Sequence, residues 1–463
     1  MIKKTVLFFF FLFVAGILSG CKLSGRFTTD TGKPLEGIHI SLTGDANKST
    51  ITNNNGEYSF EVADKFAGYI ITPSFNNYPF TPGQRHVEIK SGTSSSGIGG
   101  IDFVVATDIS VALVPKTGQT ILYTNGDDGD LQRGVAVPGS RFTDHGNGTV
   151  TDNRSGLIWL KKANAPAKKR NWSTAIADVN ELNSSGTMNS KYAGDTSNGG
   201  SHYKDWRLPN IKELQSLSDF GNYNPVLHNE QPFVDVQSFS YNDFYWSGTT
   251  PVSIYSGQAW NLSMLNGGID KTGKQETGYV WPVRGGIFAE TEAFIPKTGQ
   301  TTSYADGDDG DLQSGATTDG PRFTDNGDGT VTDNLSLLIW LKKANASNSG
   351  RAWQNAFDDI EQLNANGTMN GQNCNDISNA GTHQTDWRLP NIKELQSLID
   401  YSRSSPALPS GNPFTGVTAD SCWSSTTCTW YDGSAWSVQM DFGNETGSEK
   451  SSLFLVWPVR SGD

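Results

Sequence analysis

A tandem duplication is the feature of this sequence that most limits how the chain can fold. Residues 114–164 match residues 295–345 without a gap, and the same offset aligns the sequence DWRLPNIKELQSL at residues 205–217 with residues 386–398. A unit of this length is too long for a solenoid repeat and has the size of a whole domain. We therefore predict two copies of one domain, over residues 114–286 and 295–463.

Each copy is expected to be an α+β domain. After a short predicted strand, apolar residues recur at helical spacing along one face. Asn210 should cap a second helix, because Glu213 follows three residues later in the position of a capping box. Short strands that carry tryptophans complete the pattern. The positions on the first helix are Trp172, Ala175, Ile176, Val179 and Leu182, and in the second copy Trp353, Ala356, Phe357, Ile360 and Leu363.

The residues before the duplication predict a separate all-β module. Ile38–Leu42 and Tyr58–Val62 alternate apolar and polar side chains, as half-buried strands do, and residues 102–105 predict a final strand. The stretches LSGRFTTDTGKPLEGIHISLTG and NNNGEYSFEV resemble the carboxypeptidase regulatory-like modules of secreted bacterial proteins. That resemblance implies a prealbumin-like or Ig-like β-sandwich over residues 21–107, serving as a spacer or display scaffold.

The N-terminus predicts export from the cytoplasm. Lys3 and Lys4 precede an apolar run over residues 6–18. The run is too short to span a bilayer comfortably, because a transmembrane helix needs about 20 apolar residues. Its length and its charged flank are typical of a signal peptide, which we place at residues 1–20.

The end of this run resembles the lipobox of bacterial lipoproteins, since the sequence LSGC occupies residues 18–21. The resemblance implies that Cys21 carries a lipid and becomes the new N-terminus. Lys22, in place of an aspartate, implies sorting to the outer membrane or cell surface. The alternative is an ordinary secretory signal followed by a chance cysteine.

Composition narrows the choice of partners. The chain holds 51 glycines and 13 tryptophans, which favours β-structure with long ordered loops over helical bundles. Its formal net charge of −13 argues against binding nucleic acid or other polyanions by bulk attraction. An acidic surface permits divalent cations.

The two copies resemble the Lcl C-terminal domain family, which is named for a collagen-like bacterial adhesin. The resemblance is carried by RFTDNGDGTVTDN, LIWLKKAN, DWRLPNIKEL, WSSTT and VWPVR, in that order. It implies a C-type-lectin-like fold and, from the adhesin, the binding of sulfated glycans. The acidic net charge departs from that pattern, because sulfated glycans are polyanions.

Acidic, glycine-rich stretches in the second copy make calcium a candidate cofactor, since calcium takes six to eight oxygen ligands from flexible loops. The first copy has Asn125 and Asn147 where two of these carboxylates stand. The alternative is that Asp-Gly and Asn-Gly sequences simply build turns. The candidate metal ligands are Asp306, Asp308, Asp309, Asp311, Asp325, Asp328 and Asp333.

Most tryptophans recur in both copies and are expected in the core. Trp430 and Tyr431 lie outside the shared pattern, in a loop with glycine, and are the candidate ligand-binding residues. Cys422 and Cys428 are the nearest cysteine pair in sequence and a candidate disulfide, although pairing with Cys374 stays open. Arg207 and Arg388 could contact a ligand, but a structural role in tying loops is favoured.

These features predict a surface-displayed lipoprotein that binds a glycan or a surface partner in adhesion or envelope interaction. One alternative is a structural or assembly component of the envelope that binds proteins, and another is a polysaccharide hydrolase. We expect no enzymatic activity, because the chain has only six histidines and no G-x-S-x-G, H-E-x-x-H or P-loop pattern.

Overall fold

The computed structural model of the chain is mostly β-sheet, with a few helices and several separate sheets. The chain divides into two compact units, Met1–Thr107 and Asp108–Asp463. The predicted signal peptide lies outside the described residues, except for Gly20. The predicted domain boundaries stay predictions. The structure describes residues 20–29, 34, 38–53, 55–63, 67–74, 80–81, 84–89, 97–105, 114–136, 140–240, 242–285, 295–318 and 320–461.

The described part of the first unit forms two four-stranded sheets, in the orders β4-β1-β8-β6 and β3-β2-β5-β7. Strands β1 and β8 run parallel, and the other neighbours are antiparallel. The strands are β1 (Gly20–Thr29), β2 (His39–Gly44), β3 (Lys48–Ile51), β4 (Glu57–Ala63), β5 (Ala67–Ser74), β6 (Phe80–Thr81), β7 (Arg85–Ile89) and β8 (Phe103–Val105).

Alternating side chains of these strands are buried, as the two-residue period of the sequence predicts. Phe27 of β1 stacks on Phe103 of β8 with ring centroids 4.8 Å apart. Leu23 and Cys21, on the same face of β1, are also buried. Cys21 is paired with Val62 of β4 in the antiparallel register.

The first repeat begins the second unit. Its elements include a four-stranded sheet in the order β17-β11-β10-β9 and the hairpin β12-β13. The elements are α1 (Asp128–Leu131), β9 (Phe142–Asp144), β10 (Thr149–Asp152), β11 (Ile158–Leu160), α2 (Trp172–Ser185), β12 (Thr187–Met188), β13 (Lys191–Tyr192), α3 (Ile211–Ser216), β14 (Phe244–Trp246), a 3₁₀ turn (Ser253–Tyr255), β15 (Gln258–Ser263), β16 (Ile269–Gly273) and β17 (Val283–Arg284).

The second repeat has the same plan, with a four-stranded sheet in the order β18-β19-β20-β26 and the hairpin β21-β22. Its elements are α4 (Asp309–Leu312), β18 (Phe323–Asp325), β19 (Thr330–Asp333), β20 (Leu338–Leu341), α5 (Trp353–Asn366), β21 (Thr368–Met369), β22 (Gln372–Asn373), α6 (Ile392–Ser397), β23 (Ser421–Thr427), β24 (Ser434–Gln439), β25 (Glu445–Glu449) and β26 (Val459–Ser461).

The helices predicted from apolar spacing are present in both repeats. The predicted apolar positions of α2 and α5 are all buried. The predicted capping box is also present: the Asn210 side chain accepts from the Glu213 N–H, and the Glu213 carboxylate accepts from the Asn210 N–H. Asn391 and Glu394 repeat this arrangement at α6.

A single six-stranded sheet joins the two repeats, in the order β14-β15-β16-β25-β24-β23. The order is palindromic, since each strand of the first repeat has its counterpart at the mirrored position. The junction is the antiparallel pair β16 and β25, where Ile269 lies opposite Glu445. Lys271 Nζ donates to Asn444 Oδ1 across it, at 2.9 Å. The repeats are therefore related by an approximate two-fold axis between these strands.

Two further segments, residues 114–135 and 295–316, connect the repeats and are named the bridging segments. In the first, Gln119 Nε2 donates to Thr427 O at 2.7 Å. In the second, Gln300 Nε2 donates to Thr250 O, also at 2.7 Å. Each bridging segment thus binds the β half of the other repeat.

One hydrophobic core runs through both repeats. One smaller hydrophobic cluster lies under α2 and another lies under α5. At the junction, Phe220 packs edge-on against Trp436 of the second repeat at 5.1 Å. Tyr401 packs in the same way against Trp260 of the first, at 5.0 Å. Because the junction is buried apolar surface, neither repeat has a complete core without the other.

Candidate functional site

The aspartates proposed as metal ligands cap and close local structure. Asp308 is the N-cap of α4 and accepts from the Asp311 N–H at 2.9 Å. Asp311 in turn accepts from the Gly307 N–H. Asp309 is buried, and its Oδ2 accepts from the hydroxyls of Thr298 at 2.6 Å and Thr249 at 2.8 Å.

The carboxylates of the later aspartates also make contacts with nearby residues. Asp325 forms an ion pair with Lys342 at 2.6 Å. The Asp328 carboxylate accepts from the N–H and the hydroxyl of Thr330, and Asp333 forms an ion pair with Arg322 at 3.1 Å. Asp306 is exposed in the turn before the α4 cap.

In the structure, the carboxylates of these aspartates do not converge on one shared point. Among the described residues, no group of three or more histidine, cysteine, aspartate or glutamate side chains is placed to hold a metal ion. The physical reason is that turns and caps orient carboxylates towards nearby N–H groups rather than towards one shared point. The turn interpretation of the acidic stretches is the one that the contacts support.

Cys422 and Cys428, the candidate disulfide pair, are not bonded to each other in the structure. Cys422 lies in β23 and Cys428 directly follows that strand, and both are free, buried thiols, as is Cys374. An extended strand advances about 3.3 Å per residue, which separates residues along it, whereas a disulfide tolerates a Cα separation of roughly 7 Å at most. Burial raises the pKa of the Cys422 thiol to about 12.

The two arginines of the DWRLP sequences have structural roles. Arg207 forms a bidentate pair with Glu213, with both N–O distances at 2.6 Å. Arg388 forms the same pair with Glu394. Because Glu213 and Glu394 also close the capping boxes, each arginine fixes the start of a helix.

The tryptophans separate into a buried majority and one exception. Twelve of the 13 are at most 3% exposed and belong to the core. Trp430 is only partly buried, in a loop that connects β23 with β24. Trp430 packs edge-on against Trp436 at 5.1 Å. Its six-membered ring lies over Gly447, where a side chain would collide with it.

The neighbouring Tyr431 is 57% exposed, although hydrogen bonds hold its backbone in place. The Cys428 N–H donates to Ser434 O at 3.0 Å, and the Ser434 N–H donates to Tyr431 O at 3.0 Å. The Tyr431 ring folds back over Gly433. The loop therefore presents an aromatic ring to solvent from a fixed backbone.

Two tyrosines of the first repeat extend this surface. Tyr223 is 40% exposed, and its ring centroid lies 5.9 Å from that of Trp430. Tyr123 lies beside the same loop: Lys450 Nζ is 5.1 Å from the Tyr123 ring, and the Lys450 N–H donates to Gly433 O. The aromatic patch is defined as Tyr123, Tyr223, Trp430 and Tyr431.

The electrostatics of the aromatic patch are mildly acidic. Burial and then the neighbouring Asp432 and Asp127 raise the pKa of Tyr123, so its hydroxyl stays protonated. Burial lowers the pKa of Lys450. The patch therefore offers neutral ring faces and hydroxyl groups, with Asp432 exposed at its edge.

Sequence reasoning missed Tyr123 and Tyr223. Tyr223 corresponds to Ser404 in the second copy, so a comparison of the copies could have singled it out. Tyr123 has a tyrosine counterpart in the second copy, Tyr304, so a comparison of the copies does not single it out. Its role depends on the bridging segment lying against the other repeat, which the sequence does not indicate.

Comparison with family models identifies the repeats. The model of the Lcl C-terminal domain matches residues 148–284 and 329–460, more than half of the 463 residues. This chain belongs to the Lcl C-terminal domain family. Both matched ranges begin after the bridging segments. Tyr223, Trp430 and Tyr431 lie within the Lcl C-terminal domains, whereas Tyr123 lies before the first.

No curated protein matches the chain. Among solved structures, a DUF3823 family protein from Parabacteroides merdae is 20% identical, with a TM-score of 0.15, over 19% of this chain and 46% of that one. The C-terminal fragment of the pilus adhesin SpaC from Lactobacillus rhamnosus GG is 12% identical, with a TM-score of 0.13, over 19% and 43%. A fimbrial protein from Bacteroides ovatus is 9% identical, with a TM-score of 0.20, over 95% and 70%.

This chain thus spans less than half the length of the first of these structures. Paired Lcl C-terminal domains fit a surface-binding protein. None of the helices formed by the described residues has the length and apolar character needed to cross a bilayer.

Proposed function

We propose that this chain is a lipid-anchored surface protein whose paired Lcl C-terminal domains bind a glycan in adhesion or envelope interaction. The aromatic patch is the observation that carries the proposal. Exposed aromatic rings held on a fixed backbone lose little conformational freedom when a partner binds. In the same proposal, the repeats are C-type-lectin-like and the first unit is an Ig-like sandwich.

The chemistry of the aromatic patch favours a neutral glycan. The flat faces of Tyr and Trp rings pack against the apolar face of a sugar ring, and the tyrosine hydroxyls can bond to sugar hydroxyls. Asp432 at the edge and the net charge of −13 disfavour sulfated polymers.

A protein partner is the second candidate. Ile121 and Leu122 are 57% and 53% exposed directly before Tyr123. The second copy has the polar residues Thr302 and Ser303 at these two positions, so this apolar pair is not part of the shared pattern of the repeats. Exposed apolar groups beside aromatic residues are typical of protein-binding surfaces.

A glycan array tests the first proposal. Soluble protein that begins at Lys22 should bind neutral glycans, with and without calcium. Tyr431→Ala should weaken binding about tenfold or more, because it removes an exposed ring worth about 1.4 kcal/mol or more. The matched control is Ile254→Ala, which removes an exposed side chain (75%) from the corresponding loop of the first repeat.

Glycan binding that survives Tyr431→Ala would move the site away from the aromatic patch. If no glycan on the array is bound, and a captured protein partner is lost in Ile121→Ala or Leu122→Ala, the protein candidate is favoured instead.

Lipid attachment at Cys21 has its own test. In the structure Cys21 is buried in β1, so an acylated Cys21 would have to leave the sheet, and β1 would begin at Lys22 or later. Radiolabelled palmitate should label the expressed chain, and Cys21→Ala should abolish the label. Labelling that persists in this variant would contradict the assignment.

A further inference from the structure

A groove of about 300 Å³ opens on the first repeat, between α2 and the second bridging segment. Its apolar lining includes Ile176 and Val179 of α2, Leu208 and Leu312. Leu312 is 43% exposed, whereas the other three are buried and show only an edge to the groove. A mostly apolar groove with a few polar groups at its rim is the usual form of a small binding site.

The second repeat fills the corresponding space with its own side chain. Phe357 of α5 stands where Ile176 stands in α2. A Cβ atom placed on Gly126 would lie 3.7 Å from Cδ1 of Phe357, whereas one placed on the corresponding Gly307 would meet nothing within 4 Å. The phenyl ring of Phe357 also packs edge-on against Trp353 at 4.6 Å.

Among the lining positions that differ between the copies, the change from Ile176 to Phe357 is the one that places an aromatic ring beside this space. The backbone elements on both sides are the same in the two repeats, and the ring of Phe357 is the group that this space accommodates. At the rim, Asn180 and Lys204 of the first repeat replace Glu361 and Thr385 of the second. The open groove thus has one negative charge fewer and one positive charge more than the filled one.

We propose that the groove of the first repeat binds the phenyl ring of a phenylalanine side chain presented by a peptide partner. The second repeat supplies the argument for the occupant, because there the same fold holds a phenyl ring in this space. The charge difference at the rim favours a peptide with a carboxylate near that phenylalanine. This site is separate in its residues from the aromatic patch and does not depend on glycan binding.

Methyl NMR of the full chain, with N-acetylphenylalaninamide at millimolar concentration as the probe, tests the proposal. The probe should shift the methyl signals of Ile176 and Leu312, and N-acetylalaninamide should not. Ile176→Phe copies the second repeat and should abolish the Leu312 shift. Phe357→Ile opens the second groove and should add a shift at Leu131, the counterpart of Leu312.

Thermal melting of both variants shows that they are folded, and Ile176→Phe is expected to melt no lower than the parent chain because it fills a groove. The proposal is overturned if the parent chain shows no Leu312 shift, or if the shift persists in Ile176→Phe. It is also overturned if octanoate shifts these methyls and the phenylalanine probe does not, since the groove would then prefer an acyl chain.

Discussion

At the residue scale, two buried aspartates connect the repeats through hydrogen bonds from threonine hydroxyls. Asp128 Oδ2 accepts from Thr117 of its own bridging segment and from Thr426 of the second repeat, at 2.6 and 2.7 Å. Asp309 makes the corresponding contacts with Thr298 and Thr249. Burial raises the pKa of each carboxyl to about 6, against the hydrogen bonds from the threonines, which lower it. Each carboxyl therefore binds its proton more tightly in the folded than in the unfolded chain.

The first prediction is a pH dependence of stability. Between about pH 4 and pH 6 the folded chain holds protons on Asp128 and Asp309 that the unfolded chain has released, so the free energy of unfolding falls as pH rises through this window. Asp128→Asn should remove its share of that dependence, up to about 3 kcal/mol for a shift of roughly two pKa units. Urea unfolding at pH 4, 5, 6 and 7 measures it.

Asp309→Asn is the matched variant in the other repeat, and the double variant should lose both contributions. An unchanged difference between pH 4 and pH 7 in the double variant would show that these carboxyls do not titrate as described.

From the sequence, Asp309 is a candidate metal ligand with turn formation as the alternative, and no partner is predicted for either aspartate. Capping is local, because the Asp308 side chain meets an N–H three residues later. The contact between Asp128 and Thr426 joins residues almost 300 positions apart, and no repeating pattern in the sequence indicates that they meet. For the same reason, Trp430 and Tyr431 were recognised as exposed loop residues, whereas Tyr123 was not.

At the element scale, the long helices of the two repeats differ at one end. Asn171 caps α2, and its side chain accepts from the Thr174 N–H at 2.9 Å. At α5 the N-cap is Ala352, which has the same extended backbone conformation but no side-chain acceptor. The two helices are of equal length, so they form a matched pair for the contribution of the cap.

The second prediction follows from that difference. Ala352→Asn should raise the free energy of unfolding by about 1 kcal/mol, because it gives α5 the acceptor that α2 already has. Asn171→Ala should lower it by a similar amount. Urea denaturation of the two variants and the parent chain provides the measurement. A cost for Asn171→Ala without a gain for Ala352→Asn would mean that another group already serves the free N–H groups of α5.

Secondary-structure elements could be predicted where the sequence pattern spans only a few residues. Helices α2 and α5 follow from a 3.6-residue period, and the capping boxes of α3 and α6 from residues three apart. The sheet order did not follow, because β16 and β25 meet through residues 176 positions apart. Cys422 and Cys428 are close in sequence but are not bonded in the structure, because residues along an extended strand are held apart.

At the scale of the whole molecule, the two repeats form one folding unit. They share a sheet, a core and two bridging segments that cross between them. The duplication was evident from the sequence, but the fusion of the copies was not, since each copy alone has the size of a domain. Side chains that would lie on the surface of an isolated repeat, such as Phe220, are buried at the junction.

The third prediction concerns this shared core. Phe220→Ala should destabilise the chain by about 3 to 5 kcal/mol, as expected for a fully buried phenylalanine. Hydrogen exchange should lose protection in β24 of the second repeat as well as in β15 of the first, because Phe220 packs against Trp436. Exchange measured by mass spectrometry after proteolysis resolves the two strands.

Tyr401→Phe is the control, since it places a phenylalanine at the position that corresponds to Phe220. The Tyr401 hydroxyl is buried and lacks a hydrogen-bond partner within the described residues, so its removal should cost little. Loss of protection confined to the first repeat in Phe220→Ala would mean that the repeats open independently.

The junction of the shared sheet also means that the two halves are no longer interchangeable. Glu445 is buried opposite Ile269, and its two carboxylate oxygens accept from Gln215 and Gln396, one glutamine from each half. A chain built from two first halves would place isoleucine opposite isoleucine and leave both amides without their acceptor. One built from two second halves would bring two carboxylates together in the protein interior. The asymmetry at this junction lets one carboxylate serve a glutamine from each half, an arrangement that two identical halves would not reproduce.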